Sequence, residues 1–380
     1  MAYLDHNATS PLRAEAREAV ERALAIDGNA SSVHGTGRRA RAAIERARES
    51  VAALAGARPE NVIFTSGGTE ANTLALCGAV HGAIDADARL TRLFVSAIEH
   101  ESVRANAAAI AERAAGLRLE TIPVAADGVA DLDALRVLLR EGKGRALIAL
   151  MAANNETGIV QPAAEAAVLA KEAGALLLVD AVQAAGKIPL PGADYVSLSA
   201  HKLGGPQGSG ALILCEGAPL AAQIRGGGQE RGTRAGTENL SGIAGFGAAA
   251  EAAAREIDSL GTALRDRFEA GLKRMAPDVV IFGANALRLT NTSNFALPGL
   301  SAETALMALD LDGVMLSSGS ACSSGKVKLS HVLAAMGVKE DLARCALRAS
   351  FGWSSTEADV EAALVSLSRL LARVAARAAA

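Results

Sequence analysis

The hydrophobic pattern runs on two periods over the first two-thirds of the chain. Short apolar runs at 62–65, 93–96, 146–150, 176–180 and 195–198 are too brief for helices and show little polar alternation. They read as strands buried on both faces. Between them, apolar residues recur at helical spacing over about 36–55, 69–84, 101–115, 131–140 and 162–173. Strand and helix taking turns in this way predicts an α/β fold, with a mostly parallel central sheet and helices on both faces. Ligands then bind at the carboxyl ends of the strands.

After about residue 239 the pattern changes. It predicts one long helix over 239–275, strands at 279–282, 294–297 and 346–351, and helices near 301–310, 330–336 and 356–377. This second set describes a smaller α+β domain closed by an amphipathic C-terminal helix.

Composition narrows the function. With 38 Lys and Arg against 41 Asp and Glu, the net charge is −3, which argues against a general binder of nucleic acid or anionic membrane. Aromatic residues make up only 3%, so there is little surface on which single strands could stack. No apolar run approaches the about 18 residues that a spanning helix needs. The start, Met1 to His6, lacks a basic stretch followed by an apolar one, so no signal peptide is expected and a cytoplasmic location is the default.

The candidate chemistry begins with cysteines and lysines. Of four cysteines, no two form a CxxC element for metal ligation. Cys77, Cys215 and Cys345 adjoin apolar runs and read as small buried hydrophobes. Cys322 stands apart, in the small polar segment Ser317–Lys326, and reads as a presented thiol. Only eight lysines exist. Lys202 ends a strand in Ser199-Ala200-His201-Lys202 and enters a Gly/Pro-rich loop, so it is the best candidate for an amine that bonds a carbonyl or pyridoxal phosphate. The other seven are read as solvated charges.

Four further segments end predicted strands with polar groups. Thr65-Ser66-Gly67-Gly68-Thr69-Glu70 turns through two glycines into a helix, as an anion site or an ordinary capped turn. Asp180 closes an apolar strand and pairs with a protonated pyridine nitrogen or caps the next helix. His100 could stack on a flat ring, move protons or be a structural histidine. Asn154-Asn155-Glu156-Thr157-Gly158 is a polar cluster or a plain turn.

In order, these segments resemble the cysteine desulfurases of the NifS/IscS type, within the class-V aminotransferase-like pyridoxal 5'-phosphate enzymes. The likeness runs from Tyr3–Thr9 and Ser31–Gly35 through Thr65–Glu70, Glu99–His100, Asn154–Gly158, Asp180–Gln183, Ser199–Lys202 and Glu230–Thr237. It ends with Ser318–Cys322 and Leu347–Ser350. The resemblance implies a homodimeric fold-type I pyridoxal phosphate-dependent transferase. Residues 15–257 would form the large cofactor domain, and 1–14 with 258–380 the small domain carrying the cysteine loop at about 317–330.

The resemblance also assigns roles. Lys202 would hold the cofactor covalently, Asp180 would pair with its ring nitrogen, Gln183 would contact the ring hydroxyl, and His100 would stack on the ring and shuttle protons. Gly68, Thr69, Ser199 and His201 would hold the phosphate, joined by Thr237 of the other subunit. Asn155 and Arg348 would bind the carboxylate of L-cysteine, and Cys322 would take its sulfur as a persulfide. The sulfur would pass to an acceptor or iron–sulfur scaffold protein, with neither nucleic acid nor membrane as partner. The chain departs from the pattern in Lys326, Lys328 and Leu329 after the cysteine, and it lacks an extended tail. The rival readings are a selenocysteine lyase or other class-V enzyme, and a non-catalytic scaffold that keeps the fold.

Overall fold

The computed structural model describes residues 1–86, 88–256, 262–318 and 329–378. The chain opens with β1 (Ala2–Tyr3), α1 (Ala14–Leu24) and α2 (Gly35–Ala55). It continues with β2 (Val62–Thr65), α3 (Gly68–Asp85), β3 (Leu90–Ser96), α4 (Glu101–Arg113), β4 (Arg118–Ile122), α5 (Leu132–Glu141) and β5 (Arg145–Ala149). Then come α6 (Ala163–Ala173), β6 (Leu176–Asp180), β7 (Tyr195–Ser199), β8 (Gly210–Leu214), α7 (Leu240–Ala254) and α8 (Thr262–Met275). The last part holds β9 (Val280–Ile281), β10 (Thr292–Ala296), α9 (Ala302–Leu311), β11 (Val314–Met315), α10 (His331–Ala335), α11 (Glu340–Ala343), β12 (Ala346–Ser350) and α12 (Glu357–Ala378).

The central sheet has seven strands in the order β2-β8-β7-β6-β5-β3-β4. All neighbours are parallel except β8, which runs antiparallel to both β2 and β7. Because β8 alone is reversed, β2, β3, β5, β6 and β7 all end on the same edge. Strands β2, β6 and β7 are buried along their whole length, as their unbroken apolar runs require of a sheet covered on both faces.

A second sheet, β12-β10-β9, is antiparallel. Its core is built on Phe268, which meets Phe295 and Phe351 edge to face at 5.4 and 5.8 Å. Val360, Ala363, Leu364 and Leu367 of α12 join the same core, so the amphipathic tail does close this unit. Ala2 and Leu4 are buried there too, and β1 pairs in parallel with β11. The backbone of Leu4 bonds both Met315 and Ser350. The next residues are thereby aimed at the edge of the central sheet.

Some expectations change. The helix expected over 239–275 is two, α7 and α8, and 257–261 lie outside the described residues. The sequence there, Asp258-Ser259-Leu260-Gly261, is rich in residues that favour turns. β8 belongs to the apolar run before Cys215, and Cys215 itself is exposed, contrary to the buried reading, because it follows the strand into a turn. Cys77 is half-buried and only Cys345 is fully buried among the three. Edge strand β4 is largely exposed and has no apolar run to announce it.

The segment after β8 contains the two non-glycine residues with positive φ among those described, Glu230 at 44° and Arg231 at 56°. That strained turn is pinned from outside. Glu230 receives both ends of the Arg48 guanidinium at 2.8 and 2.9 Å and the Phe64 amide at 3.0 Å. Both side chains are buried, so removing Glu230 leaves the Arg48 guanidinium with only Glu45, at the protein surface, as an anionic partner. Glu230→Ala should cost about 3–5 kcal/mol. A lower urea midpoint with an unchanged slope is the expected result, and an unchanged midpoint would show that the ion pair does not hold the turn.

Candidate active site

Five strand ends supply the site. At β2, Thr65 gives way to Gly67, whose φ of 155° and ψ of 178° lie in a region open essentially to glycine alone. Helix α3 begins at the next residue, and its first amides have no acceptor within the helix. Gly68 sits where a Cβ would come within 2.7 Å of Val182 Cγ2 and 3.5 Å of Ser199 Cβ. The helix start is therefore pressed against the ends of β6 and β7. The cleft in front of it is lined by Ser66, Gly67, Gly68, Thr69, Ser199 and His201, with Ala8, Thr9, Glu70, Gln207 and Gly208 completing the wall. Backbone amides at a helix start, small residues and hydroxyls make this a place for a phosphate.

Glu70 would oppose an anion there, but it is engaged. It accepts from the Ser66 amide at 2.8 Å and from Arg234 at 2.8 and 3.3 Å. Burial pushes its carboxyl up, and these bonds more than offset that, leaving it below its ordinary value. His201 Nδ1 lies 3.1 Å from Thr9 Oγ1. Burial and the neighbouring Lys202 push its pKa down to about 4, so the imidazole is neutral at neutral pH and contacts through hydrogen bonds.

Lys202 ends a short turn after β7. Its Nζ donates to the carbonyls of Asn7 at 2.5 Å and Ala8 at 2.7 Å. Burial, then the charge of Arg348, lower its pKa to about 8, against a smaller opposite pull from Asp5 and Asp180. Lys187 departs from the solvated-charge reading. Its Nζ bonds the Gln183 carbonyl at 2.8 Å, and burial followed by Lys202 and Arg348 lowers it to about 7.

Asp180 is buried at the end of β6. One oxygen accepts from Asn72 Nδ2 at 2.8 Å and the other from the Val182 amide at 3.0 Å. Asn72 Nδ2 also reaches Ser102 Oγ, which lies 2.8 Å from His100 Nδ1. The Ser102 amide donates to the same nitrogen at 3.1 Å, so His100 caps α4 through Nδ1 and the hydrogen-bond pattern assigns its proton to Nε2. Beside it, Glu99 is fully buried with one oxygen on the Met151 amide at 2.6 Å and the other unpartnered. Burial, then Asp180, raise its pKa well above the ordinary value.

Gln183 is buried with Nε2 on the Asn7 carbonyl at 3.0 Å, while its Oε1 has no partner. Arg348, on β12 and 3% exposed, donates from Nη1 to the Asn155 carbonyl at 2.9 Å and from Nη2 to Asp5 Oδ1 at 2.6 Å. Its Nε is buried without an acceptor. Thr237 is exposed and does not line this chain's cleft. Cys322, with Lys326 and Lys328, lies outside the described residues. The segment before it leaves from Ser317, paired with the backbone of Arg348, and the segment after it returns at Ser330 and His331. Ser330 Oγ bonds Glu156 at 2.5 Å and His331 Nε2 lies 3.0 Å from the Glu99 carbonyl.

The residues fit pyridoxal phosphate. A lowered amine, a hydrogen-bonded carboxylate, an orphaned Gln183 acceptor and a glycine cradle that a side chain would fill sit along one edge. Sequence reading missed Asn72, Asp5 and Asn7 as working residues. Asn72 could have been found as a polar residue on the otherwise apolar face of Ala71, Leu74 and Ala75.

Comparison with known proteins gives the same picture. The sequence model of the class-V aminotransferases matches residues 2–363. An IscS-like cysteine desulfurase of Mycobacterium tuberculosis is 41% identical over 98% of this chain and 97% of its own. A cysteine desulfurase of Cereibacter sphaeroides is 43% identical over 94% and 92%. The crystal structure of a NifS-like protein from Rickettsia africae superposes with a TM-score of 0.87 at 32% identity, covering 98% of this chain and 99% of that one.

Two measurements test the site. Overpacking at Gly68→Ala should weaken pyridoxal phosphate binding about tenfold, and adding Val182→Ala should restore most of it. Failure of the second change to help would show that the cradle is not set by that contact. Covalent capture needs the neutral amine of Lys202. In apoprotein, the rate of forming a borohydride-fixed adduct should therefore rise about tenfold per pH unit and level off near pH 8. A rate still rising at the ordinary lysine value would contradict the lowered pKa.

Proposed function

The chain belongs to the class-V aminotransferase family, and from that premise we propose that it is a pyridoxal phosphate-dependent cysteine desulfurase. It converts L-cysteine to L-alanine and takes the sulfur as a persulfide on Cys322. The observation that carries this reading is a buried guanidinium N–H with no acceptor, on Arg348, tied through Asn155 and Asn7 to the lowered amine of Lys202. An amine for the cofactor and a donor for an amino-acid carboxylate are thus held in one frame.

When bound, pyridoxal phosphate supplies an electron sink next to the α-carbon. Lys202 would hold it covalently. Gly68, Thr69, Ser199 and His201 would hold its phosphate, and Gln183 Oε1 would accept from its hydroxyl. Asp180, fixed by Asn72 and Val182, favours a proton on the ring nitrogen. With His100 Nδ1 engaged by Ser102, Nε2 is the nitrogen through which the ring would exchange a proton as the substrate reacts. Arg348 and Asn155 orient the substrate carboxylate. The Cys322 thiolate attacks the substrate sulfur; the C–S bond breaks, an S–S bond forms, and the electron pair left on carbon takes a proton to give alanine. A serine hydroxyl is too weak a nucleophile for that exchange.

We extend the reading to a homodimer, in which the exposed Thr237 serves the partner's cleft, and to sulfur delivery in the cytoplasm to an acceptor for iron–sulfur cluster assembly. We also divide the chain into a cofactor domain at 15–257 and a small domain of 1–14 and 258–380, since Ala2 and Leu4 share the core of α8 and α12.

Cys322→Ser should keep the change in cofactor absorbance on adding L-cysteine, because none of the residues that hold the cofactor is altered, yet release almost no alanine. Ala at Cys77, Cys215 or Cys345 should leave alanine release intact. Full alanine release by Cys322→Ser would move the assignment to a selenocysteine lyase or another class-V enzyme.

A further inference from the structure

Asp5 is the charged group closest to the candidate carboxylate donor, and no part of the proposed chemistry uses it. It follows Leu4, whose backbone is fixed between Met315 and Ser350, and its own backbone bridges Ser350. Its carbonyl accepts from the amides of Ala8 and Thr9, which closes a tight turn around it. The carboxylate therefore has a rigid base. It meets Arg348 Nη2 at 2.6 Å while Nη1 rests on the Asn155 carbonyl.

A guanidinium has five N–H groups in one plane. With one held at each Nη, the plane of Arg348 is fixed at two points, and the buried Nε–H remains without an acceptor. Lys202 and Lys187 both feel the charge of Arg348, and in turn they repel it. With Asn155 as its only acceptor, a long side chain under that repulsion would rotate.

We infer that Asp5 is a positioning residue, which fixes the Arg348 guanidinium so that its unpartnered Nε–H is kept for the substrate carboxylate. The inference rests on the proposed function and deepens it by naming what sets carboxylate recognition. It assigns Asp5 no contact with the reacting atoms.

The test uses holoenzyme and binding rather than turnover. Cofactor absorbance is titrated with L-alanine, which carries the carboxylate, and with cysteamine, which lacks it. Asp5→Ala should weaken L-alanine about tenfold, the worth of a lost charge-assisted contact, and leave cysteamine unchanged. Asp5→Asn offers an oxygen at the same place and should stay within about threefold of the native protein. Asp5→Glu, which moves the carboxylate by one methylene, should weaken L-alanine selectively and serves if the alanine variant does not fold. In turnover, KM for L-cysteine should rise more than kcat falls. Unchanged or tighter L-alanine binding in Asp5→Ala would overturn the inference, as would an equal loss for both ligands. Absence of alanine release by the native protein would refute the proposed function, and the two titrations would still judge Asp5.

Discussion

One carbonyl oxygen holds the arrangement together. Asn7 O accepts from both Lys202 Nζ and Gln183 Nε2, groups at the ends of β7 and β6. The side chain of the same residue reaches the other way, with Nδ2 on Thr292 Oγ1 at 2.9 Å and on the Asn155 carbonyl at 3.2 Å, and Oδ1 on Asn291 Nδ2 at 3.2 Å. Asn7 is fully buried, and without it Gln183 Nε2 would lack a partner, at a cost of about 1–3 kcal/mol, while Lys202 would keep only the Ala8 carbonyl. The residue joins the large sheet to the small one. Through the Asn155 carbonyl it also ties the amine of Lys202 to the guanidinium of Arg348.

The electrostatics follow from that closeness. Three cations, Lys187, Lys202 and Arg348, are drawn together away from water. Burial, with the neighbouring positive charges, lowers the pKa of both lysines. The acids divide as well. Asp180 has donors on both oxygens, whereas Glu99 has one donor and an unpartnered oxygen, and burial followed by the charge of Asp180 raises its pKa well above the ordinary value.

The sheet was legible wherever apolar runs were continuous, at β2, β3, β5, β6 and β7, because two-sided burial leaves that mark. Lys202 and Asp180 were legible because each breaks such a run at its end. Exposed β4 left no mark, and Cys215 misled because an apolar strand was read through into the turn beyond it. Lys187 was misread because it lines one cavity with Lys202, Asn291 and Phe351, residues remote from it in sequence. Asp5 and Asn7 could not be found by period at all. Their partners lie in β10, β12 and the ends of β6 and β7, and only the folded chain brings these together.

The separation in sequence of those partners has a consequence for biosynthesis. Asp5 meets Arg348 across 343 residues, and Asn7 meets Thr292 across 285. A chain leaving the ribosome carries the Asp5 and Asn7 side chains without these two partners until β10 and β12 have emerged, long after the central sheet is complete. Lys202 finds both of its carbonyl partners already made, in Asn7 and Ala8, whereas Arg348 is made more than a hundred residues later. A product truncated before β12 would hold the whole central sheet and Lys202 but neither Arg348 nor the anchor of Asp5.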